Sequence, residues 1–316
     1  MRILITGIGG FVGRHLSDYV LAHTPGAELH GAILAPEHAI PQATCHVVDL
    51  KDKAALYDLV TQLRPDHIYH LAAQASVRRS FEDPWETLEN NIRAQLNLTT
   101  ACLALDQPPR LLIISSGEVY GTEDFADAPP TEAAPFRPGN PYSVSKVAQD
   151  MLGLQYYLSH QLPIMRARPF NHLGPGQRTG FVAPDFALQV ARIEAGLQEP
   201  VIRVGSLSAE RDFTDVRDVV RAYQLIMERG TPGDVYNIAS GKCITIQYLL
   251  DVMLADSRTP IRVEVDPARI RPGKDNRSWG DATHLRHTTG WEPLIPIEQT
   301  ILDVLNDYRQ QLKAGV

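Results

Sequence analysis

Tyr142 and Lys146, in the string PYSVSK, are spaced for proton-transfer chemistry. On a helix, residues i and i+4 share one face and lie ~5–6 Å apart. A free phenol has a pKa near ~10 and is a weak acid–base catalyst at neutral pH, but a neighbouring ammonium stabilises the phenolate and lowers that value. Ser116 lies upstream at the end of an apolar run. The pattern predicts a tyrosine acid–base catalyst assisted by a lysine and a serine.

A glycine loop opens the chain. The string TGIGGFVG places Gly7, Gly10 and Gly13 three residues apart, after a short apolar run and before a helical pattern. The first glycine permits a tight turn, the second lets backbone amides approach a pyrophosphate, and the third lets the helix pack on the sheet. The context predicts a dinucleotide site, with a plain strand–turn–helix as the alternative. With Tyr142 and Lys146, the loop indicates oxidoreductase chemistry on a nicotinamide cofactor.

The sequence leaves the choice between NAD(H) and NADP(H) open. NAD usually requires an acid at the end of the second strand, whereas NADP requires a nearby arginine. That strand runs into Leu34 and Ala35, which are uncharged. Glu37 would favour NAD if the loop folds back, and Arg14 would favour NADP.

Composition narrows the class of protein. The 316 residues carry a formal net charge of -7, which argues against general nucleic-acid binding. The three cysteines are widely spaced with no CxxC, so we expect reduced thiols, no disulfide framework and no metal site. We see no signal-peptide pattern and no apolar run near the ~20 residues that cross a bilayer. We therefore expect a soluble cytoplasmic protein without a membrane partner.

The elements that must position these residues alternate along the first half of the chain, which is typical of a doubly wound parallel (Rossmann-type) sheet. We predict strands at 3–6, 28–34, 43–50, 66–73, 110–116 and 163–170, and helices at 11–24, 52–63, 85–105 and 141–160.

The regular alternation of predicted strands and helices ends after Phe170. We predict a glycine-rich loop (NHLGPGQRTG), a helix at 183–196, a strand at 200–205, and a loop feeding a helix in RDFTDVRDVVRAYQLIMERG. The predicted domains are a dinucleotide-binding domain over 1–168, to which 213–240 returns, and a smaller, partly interleaved substrate domain over 169–212 and 241–316.

Several strings together resemble the extended short-chain dehydrogenase/reductases that act on nucleotide sugars. They run in the expected order over nearly the whole chain: TGIGGFVG, HLAAQASV, NNIRAQLN, SSGEVYG, PYSVSK, RPFNHLGPGQ, RDFTDVRDVV and RPG. Within that family the second half looks most like the GDP-4-keto-6-deoxy-mannose reductases, with the GDP-mannose 4,6-dehydratases as close relatives. The resemblance implies NAD(P)H-dependent reduction of the C4 ketone of GDP-4-keto-6-deoxy-D-mannose to GDP-D-rhamnose.

The resemblance also assigns catalytic roles. Tyr142 would exchange a proton with the C4 oxygen, Lys146 would hold the nicotinamide ribose, and Ser116 would hydrogen-bond the C4 oxygen. Glu118 matches the carboxylate that removes the C5 proton in dehydratases, where a neighbouring acid or hydroxyl assists. This chain has Gly117 in the neighbouring position, which disfavours the dTDP-glucose type of dehydratase and weakens the match to the GDP-mannose type without excluding it. Reductases of this group can also keep a glutamate here, so Glu118 alone does not distinguish reduction from dehydration.

Binding residues follow by matching family strings. For the cofactor they are Gly7, Gly10, Phe11, Val12, Gly13, Asp49, Leu50, Leu71, Ala72 and Ala73, with Tyr142 and Lys146. For the substrate they are Asn171, Arg211 and Arg271, the two arginines clamping the diphosphate.

Other functions stay open. A 4,6-dehydratase is the main alternative, a nucleotide-sugar C4 epimerase is a third enzyme, and a non-catalytic cofactor-binding scaffold belongs to another class. The family further implies a homodimer formed through the helices at 85–105 and 141–160.

Overall fold

The computed structural model describes residues 1–121, 125, 128–269 and 277–315. Strands and helices alternate through the first half. The strands are β1 (Arg2–Thr6), β2 (Glu28–Ile33), β3 (Thr44–Val47), β4 (His67–His70), β5 (Arg110–Ile114) and β6 (Ile164–Pro169), and the helices are α1 (Phe11–His23), α2 (Lys53–Leu63), α3 (Val77–Glu82), α4 (Pro84–Cys102) and α5 (Pro141–His160).

The second half has shorter strands. These are β7 (Asn171–Leu173), β8 (Val201–Val204), β9 (Glu210–Asp215), β10 (Val235–Ile238), β11 (Cys243–Thr245), β12 (Arg262–Val265) and β13 (Arg277–Ser278); the helices are α6 (Val182–Glu194), α7 (Val216–Arg229), α8 (Ile246–Ala255), α9 (Thr283–Thr289) and α10 (Ile297–Lys313).

Three of the secondary-structure predictions were wrong. Strand β9 occupies a segment predicted as loop, β7 lies inside the predicted glycine-rich loop, and the short helix α3 was not predicted. Strand β9 pairs with β7, β11 and β13. These partners are remote along the chain, so the extended form of a polar segment is set by tertiary pairing rather than by local pattern.

Seven parallel strands form the central sheet, in the order β10-β6-β5-β4-β1-β2-β3. The chain order reverses between β1 and β4, which makes the crevice beyond their carboxyl ends the natural ligand site of a doubly wound fold. The predicted fold class is confirmed. Strand β10 joins this sheet beside β6, while the exact domain boundaries stay a prediction.

Both faces of the sheet are buried, as a parallel sheet requires. In β1, Ile3 and Ile5 belong to one apolar cluster and Leu4 belongs to another, so side chains alternate between the two helical layers. A third cluster lies in the second half, where α6, α8 and α10 contribute Val190, Leu249 and Val304.

Helix α5 is anchored to β6 by buried charge. The Asp150 carboxylate on α5 accepts hydrogen bonds from Arg166 at 2.8 Å and from Arg168 at 2.7 Å, and these side chains are at most 6% exposed. Arg168 also donates to the Tyr120 hydroxyl at 2.6 Å. A rotation or translation of α5 would leave buried charges unpaired, which would strongly destabilise the folded protein.

Candidate active site

The amino end of α5 carries the predicted catalytic pair. Asn140 caps the helix, because its side chain accepts from the Ser143 amide at 2.8 Å while the Ser143 hydroxyl contacts the Asn140 backbone. Tyr142 therefore lies in the first turn and Lys146 one turn later. The Lys146 Nζ lies 5.9 Å from the centroid of the Tyr142 ring. The predicted juxtaposition is confirmed.

The electrostatic effect predicted for this pair is wrong in direction. Burial raises the pKa of Tyr142 to about 12; the negative charge of Glu118 also raises it, while a hydrogen bond with Ser116 lowers it. Removing water disfavours the phenolate more strongly than the neighbours stabilise it. The phenol consequently keeps its proton at neutral pH, as a group that donates a proton must.

Lys146 responds to the same burial in the opposite sense. The side chain is 4% exposed, and its Nζ donates to the Ile114 carbonyl at 2.8 Å, at the carboxyl end of β5. Desolvation lowers the pKa of the ammonium to about 7. Near neutral pH this group exists in both protonation states, so it can gain or lose a proton at little cost.

The turn after β5 brings Ser116 and Glu118 to the same place. Ser116 caps a short 3-10 helix (Gly117–Tyr120) by accepting from the Glu118 amide at 3.2 Å. The Glu118 carboxylate in turn accepts from the Asn140 side chain at 3.5 Å. The structure thus gathers Ser116, Glu118, Tyr142 and Lys146 at the carboxyl edge of the sheet.

Gly117 is packed against an aromatic ring. A Cβ built at this position would lie 2.8 Å from the ring of Phe170, which is 6% exposed. In this packing, a side chain at position 117 would require the ring to move. Glu118 therefore has no acidic or hydroxyl side chain at the neighbouring position 117.

The glycine loop forms the predicted cradle. Gly7 has φ +74°, and a Cβ there would lie 3.0 Å from the Ala72 amide nitrogen. A Cβ at Gly13 would lie 2.4 Å from the Gly7 carbonyl, and Gly10 precedes the first residue of α1. Side chains at Gly7 and Gly13 would collide with the backbone of the loop and of the segment after β4, so the glycines allow the tight turn that leads into the helix N-terminus, where a diphosphate can bind. The loop fits a dinucleotide.

The remaining residues predicted for the cofactor surround this loop. The amides of Leu71 and Ala72, after β4, donate to the Thr6 carbonyl and hydroxyl at 3.3 and 3.2 Å, and Ala73 follows directly. Phe11 and Val12 begin α1 and pack partly against the core. Asp49 is exposed after β3, and the Leu50 carbonyl accepts from Asn97 at 2.9 Å. Their roles in binding stay predictions.

The predicted substrate residues come together on β7 and β9. Asn171 pairs in register with Phe213, two residues beyond Arg211. Burial lowers the pKa of the partly buried Arg211 guanidinium while the charge of Glu118 raises it, so the two charges influence each other. Arg271 lies outside the described residues. The structure therefore brings Asn171 and Arg211 to the side of the site that holds Glu118.

Two residues at this edge were not assigned from the sequence. The His172 ring is parallel to the Phe11 ring, with centroids 6.3 Å apart, and its Nδ1 lies 3.0 Å from the Phe170 carbonyl oxygen. The Asp212 carboxylate accepts from the amides of Ser240 and Gly241 at 2.9 and 2.8 Å. Asp212 follows Arg211 in the RDF string, which was the available signal.

The described residues form neither a metal-ligand cluster nor a membrane-spanning helix. Within those ranges, no three histidine, cysteine, aspartate or glutamate side chains group as metal ligands. No helix in the same ranges is long and apolar enough to span a bilayer.

The chain matches the family described as GDP-mannose 4,6 dehydratase over residues 4–304. It is 39% identical to GDP-6-deoxy-D-mannose reductase of Pseudomonas aeruginosa, over 99% of this chain and 98% of that protein. It is 29% identical to GDP-mannose 4,6 dehydratase 2 of Arabidopsis thaliana, over 94% of this chain and 84% of the relative.

Solved structures share the fold over the full length. The reductase RMD from Pseudomonas aeruginosa, complexed with NADPH, superposes with a TM-score of 0.87 at 38% identity, covering 98% of this chain and 99% of the other. A UDP-glucose 4-epimerase of Thermus thermophilus, in complex with NAD, superposes with a TM-score of 0.87 at 29% identity and the same coverage.

Proposed function

Because the chain belongs to the GDP-mannose 4,6-dehydratase family, and is thus an NAD(P)-dependent extended short-chain dehydrogenase/reductase, we propose that it reduces the C4 ketone of GDP-4-keto-6-deoxy-D-mannose to give GDP-D-rhamnose. The observation that carries this proposal is that Tyr142, whose pKa burial raises to about 12, lies close to the Glu118 carboxylate, and that the position next to Glu118 is occupied by Gly117. The full-length similarity to a GDP-6-deoxy-D-mannose reductase supports it.

Reduction and dehydration need different groups. Loss of water from C5 and C6 of a 4-keto sugar needs a base for the C5 proton and an acid for the departing hydroxyl. Glu118 is available as a base, but the ring of Phe170 lies where a side chain of residue 117 would begin. Reduction of a ketone needs a hydride, which the reduced dinucleotide would supply, and one proton donor, the role proposed for Tyr142 beside Ser116.

The dinucleotide, NADP(H) or NAD(H), would lie on the glycine loop and supply the hydride. Ser116 would donate a hydrogen bond to the C4 oxygen, and Tyr142 would deliver the proton as that oxygen gains charge. Lys146, with its pKa near neutrality, would return a proton to the Tyr142 phenolate. Arg211, and by family resemblance Arg271, would hold the diphosphate, with Asn171 beside them.

One pair of incubations tests this proposal. With GDP-mannose alone the protein should form no 4-keto sugar. With GDP-mannose, a separate GDP-mannose 4,6-dehydratase and reduced cofactor, it should oxidise the cofactor and form a 6-deoxy sugar with a C4 hydroxyl. Formation of the 4-keto sugar by this protein alone would establish the dehydratase instead. No 4-keto sugar in the first mixture and no oxidation of the cofactor in the second would contradict both readings.

We further infer that two copies pair through α4 and α5. Exposed apolar side chains occur on α4 (Trp85 and Leu96), directly after it (Leu103), and with heptad spacing on α5 (Val144, Met151 and Leu158). An apolar face of this kind is typical of a subunit contact. Light scattering should give the mass of a dimer, and Met151→Glu with Leu158→Glu should give the mass of a monomer.

A reducing compartment such as the cytoplasm is the proposed location. Cys45, Cys102 and Cys243 are free thiols in the structure, which is the usual state in such a compartment. Fractionation of the native cells with an antibody tests it, and recovery of the protein outside the cytoplasmic fraction would contradict it.

A further inference from the structure

Asp212 is a buried carboxylate that joins three separate segments of the chain. It lies on β9 directly after Arg211 and is 0% exposed. One carboxylate oxygen accepts from the amide and the hydroxyl of Ser240, and the other accepts from the amides of Gly241 and Gly280 at 2.8 and 3.4 Å. Asp212 therefore connects β9 with the turn between β10 and β11 and with the residue pair that follows β13.

The four bonds that Asp212 accepts require a carboxylate. All four donors are neutral N–H or O–H groups, and each oxygen accepts two of them. An asparagine would keep the size of the side chain but would present one acceptor oxygen and an NH2 group, which would face amides that can only donate. Donors left unpaired in a buried site destabilise the arrangement that holds them.

One of the joined segments packs beside the turn that carries Glu118. Gly280 is buried, and a Cβ built there would collide with the ring of Phe170. The same ring lies 2.8 Å from a Cβ built at Gly117, the residue before Glu118. Because close-packed groups cannot move independently, the bond from Asp212 to Gly280 also restrains the ring beside this turn.

The other two segments fix the strand that carries Arg211. Ser278 of β13 pairs in register with Arg211, and Cys243 of β11 pairs in register with Asp212. The bonds of Asp212 reach the residues just before β11 and just after β13, so they hold β9 between its two neighbours. Arg211 is consequently held close enough to Glu118 for the two charges to influence each other.

We propose that Asp212 is a positioning residue for the substrate diphosphate, which it serves by aligning Arg211. This inference rests on the proposed function, because it takes Arg211 as a ligand of the diphosphate. Without the bonds of Asp212, β9 would shift relative to β11 and β13, and the guanidinium would lose the alignment that phosphate oxygens require. None of these bonds involves the glycine loop, so substrate binding should weaken while dinucleotide binding persists.

Calorimetric titration with GDP tests the proposal without turnover. Asp212→Asn should bind GDP about 10-fold more weakly than the wild type, the lower end of the range for one charged hydrogen bond. Binding of 2′,5′-ADP, the adenosine half of NADP, should change by less than about twofold. In the assay coupled to a dehydratase, KM for the keto sugar should rise by about 10-fold and kcat should stay within about threefold.

Two further variants separate positioning from folding. Asp218→Asn alters another buried carboxylate, which accepts from the amides of Leu294 and Ile295, both at 2.9 Å. It should lower Tm, as Asp212→Asn should, but leave GDP affinity unchanged. Ser240→Ala removes one donor to Asp212 and should weaken GDP binding less than Asp212→Asn does.

Equal GDP affinity of the wild type and Asp212→Asn would overturn the positioning role. Equal losses in Asp212→Asn and Asp218→Asn would also overturn it, because they would reflect folding alone. If Asp212→Asn does not fold, Ser240→Ala decides, and unchanged GDP binding by that variant would refute the role. Failure of the wild type itself to bind GDP would instead contradict the proposed GDP-linked substrate.

Discussion

Lys146 reaches past the edge of the Tyr142 ring to a backbone carbonyl, with its Nζ 5.9 Å from the ring centroid and 2.8 Å from the Ile114 oxygen. The ammonium is therefore bound to the end of the sheet rather than to the phenol. This geometry explains why burial controls both pKa values, raising that of Tyr142 and lowering that of Lys146.

Tyr142→Phe should abolish most of the turnover. The variant keeps the ring and its packing but loses the proton donor, so we expect kcat to fall by about 10²- to 10⁴-fold. Affinity for the reduced cofactor, measured by fluorescence titration, should stay within about twofold, a change of less than ~0.5 kcal/mol. A variant with near-normal kcat would show that another group supplies the proton.

Lys146→Met should change how stability depends on pH. In the unfolded chain the lysine has its ordinary pKa of 10.5, whereas in the folded protein burial lowers it to about 7. Between these values the unfolded chain binds more protons, so the wild-type free energy of unfolding should rise with pH from 7 to 9.

The variant lacks this titrating group, and its curve should rise less steeply over the same window. Denaturant unfolding at several pH values, without dinucleotide, measures both curves. Parallel curves for the two proteins would refute the lowered pKa of Lys146.

Gly7→Ala and Gly26→Ala form a matched pair. Both glycines have φ +74°, but a Cβ at Gly26 meets nothing within 4 Å, whereas one at Gly7 lies 3.0 Å from the Ala72 amide nitrogen. Each variant should lose about 1–2 kcal/mol of stability from the left-handed backbone. Only Gly7→Ala should also lose affinity for 2′,5′-ADP in calorimetry, and equal affinities of the two variants would contradict the cradle.

Asp150→Asn should destabilise the protein strongly. The change leaves the two buried guanidiniums of Arg166 and Arg168 without their counter-charge, and breaking a buried pair typically costs about 3–5 kcal/mol. Glu89→Gln, which breaks an exposed pair with Arg93, should cost less than about 0.5 kcal/mol. Urea unfolding compares them, and similar midpoints would mean that the buried ions contribute little.

Local spacing and periodicity allowed the central sheet and helix α5, which carries the proposed catalytic pair, to be predicted from the sequence. Tyr142 and Lys146 were correctly placed together because four residues on a helix fix their separation. Strand β9 was missed because its pairing with β7, β11 and β13 depends on segments far along the chain. The predicted lowering of the Tyr142 pKa was wrong for a related reason. Burial raises this pKa, and burial depends on tertiary packing that a local sequence pattern does not show.

The buried ion pairs of Asp150 with Arg166 and Arg168 hold α5 in a fixed position on the sheet. Asp150 lies eight residues after Tyr142 on one continuous helix, and its carboxylate is held by two side chains of β6. Met151 and Leu158 are exposed on the outer surface of the same helix. One rigid helix would thus carry both the proposed subunit contact and the proposed proton donor, so pairing of two copies would also fix the orientation of the Tyr142 phenol.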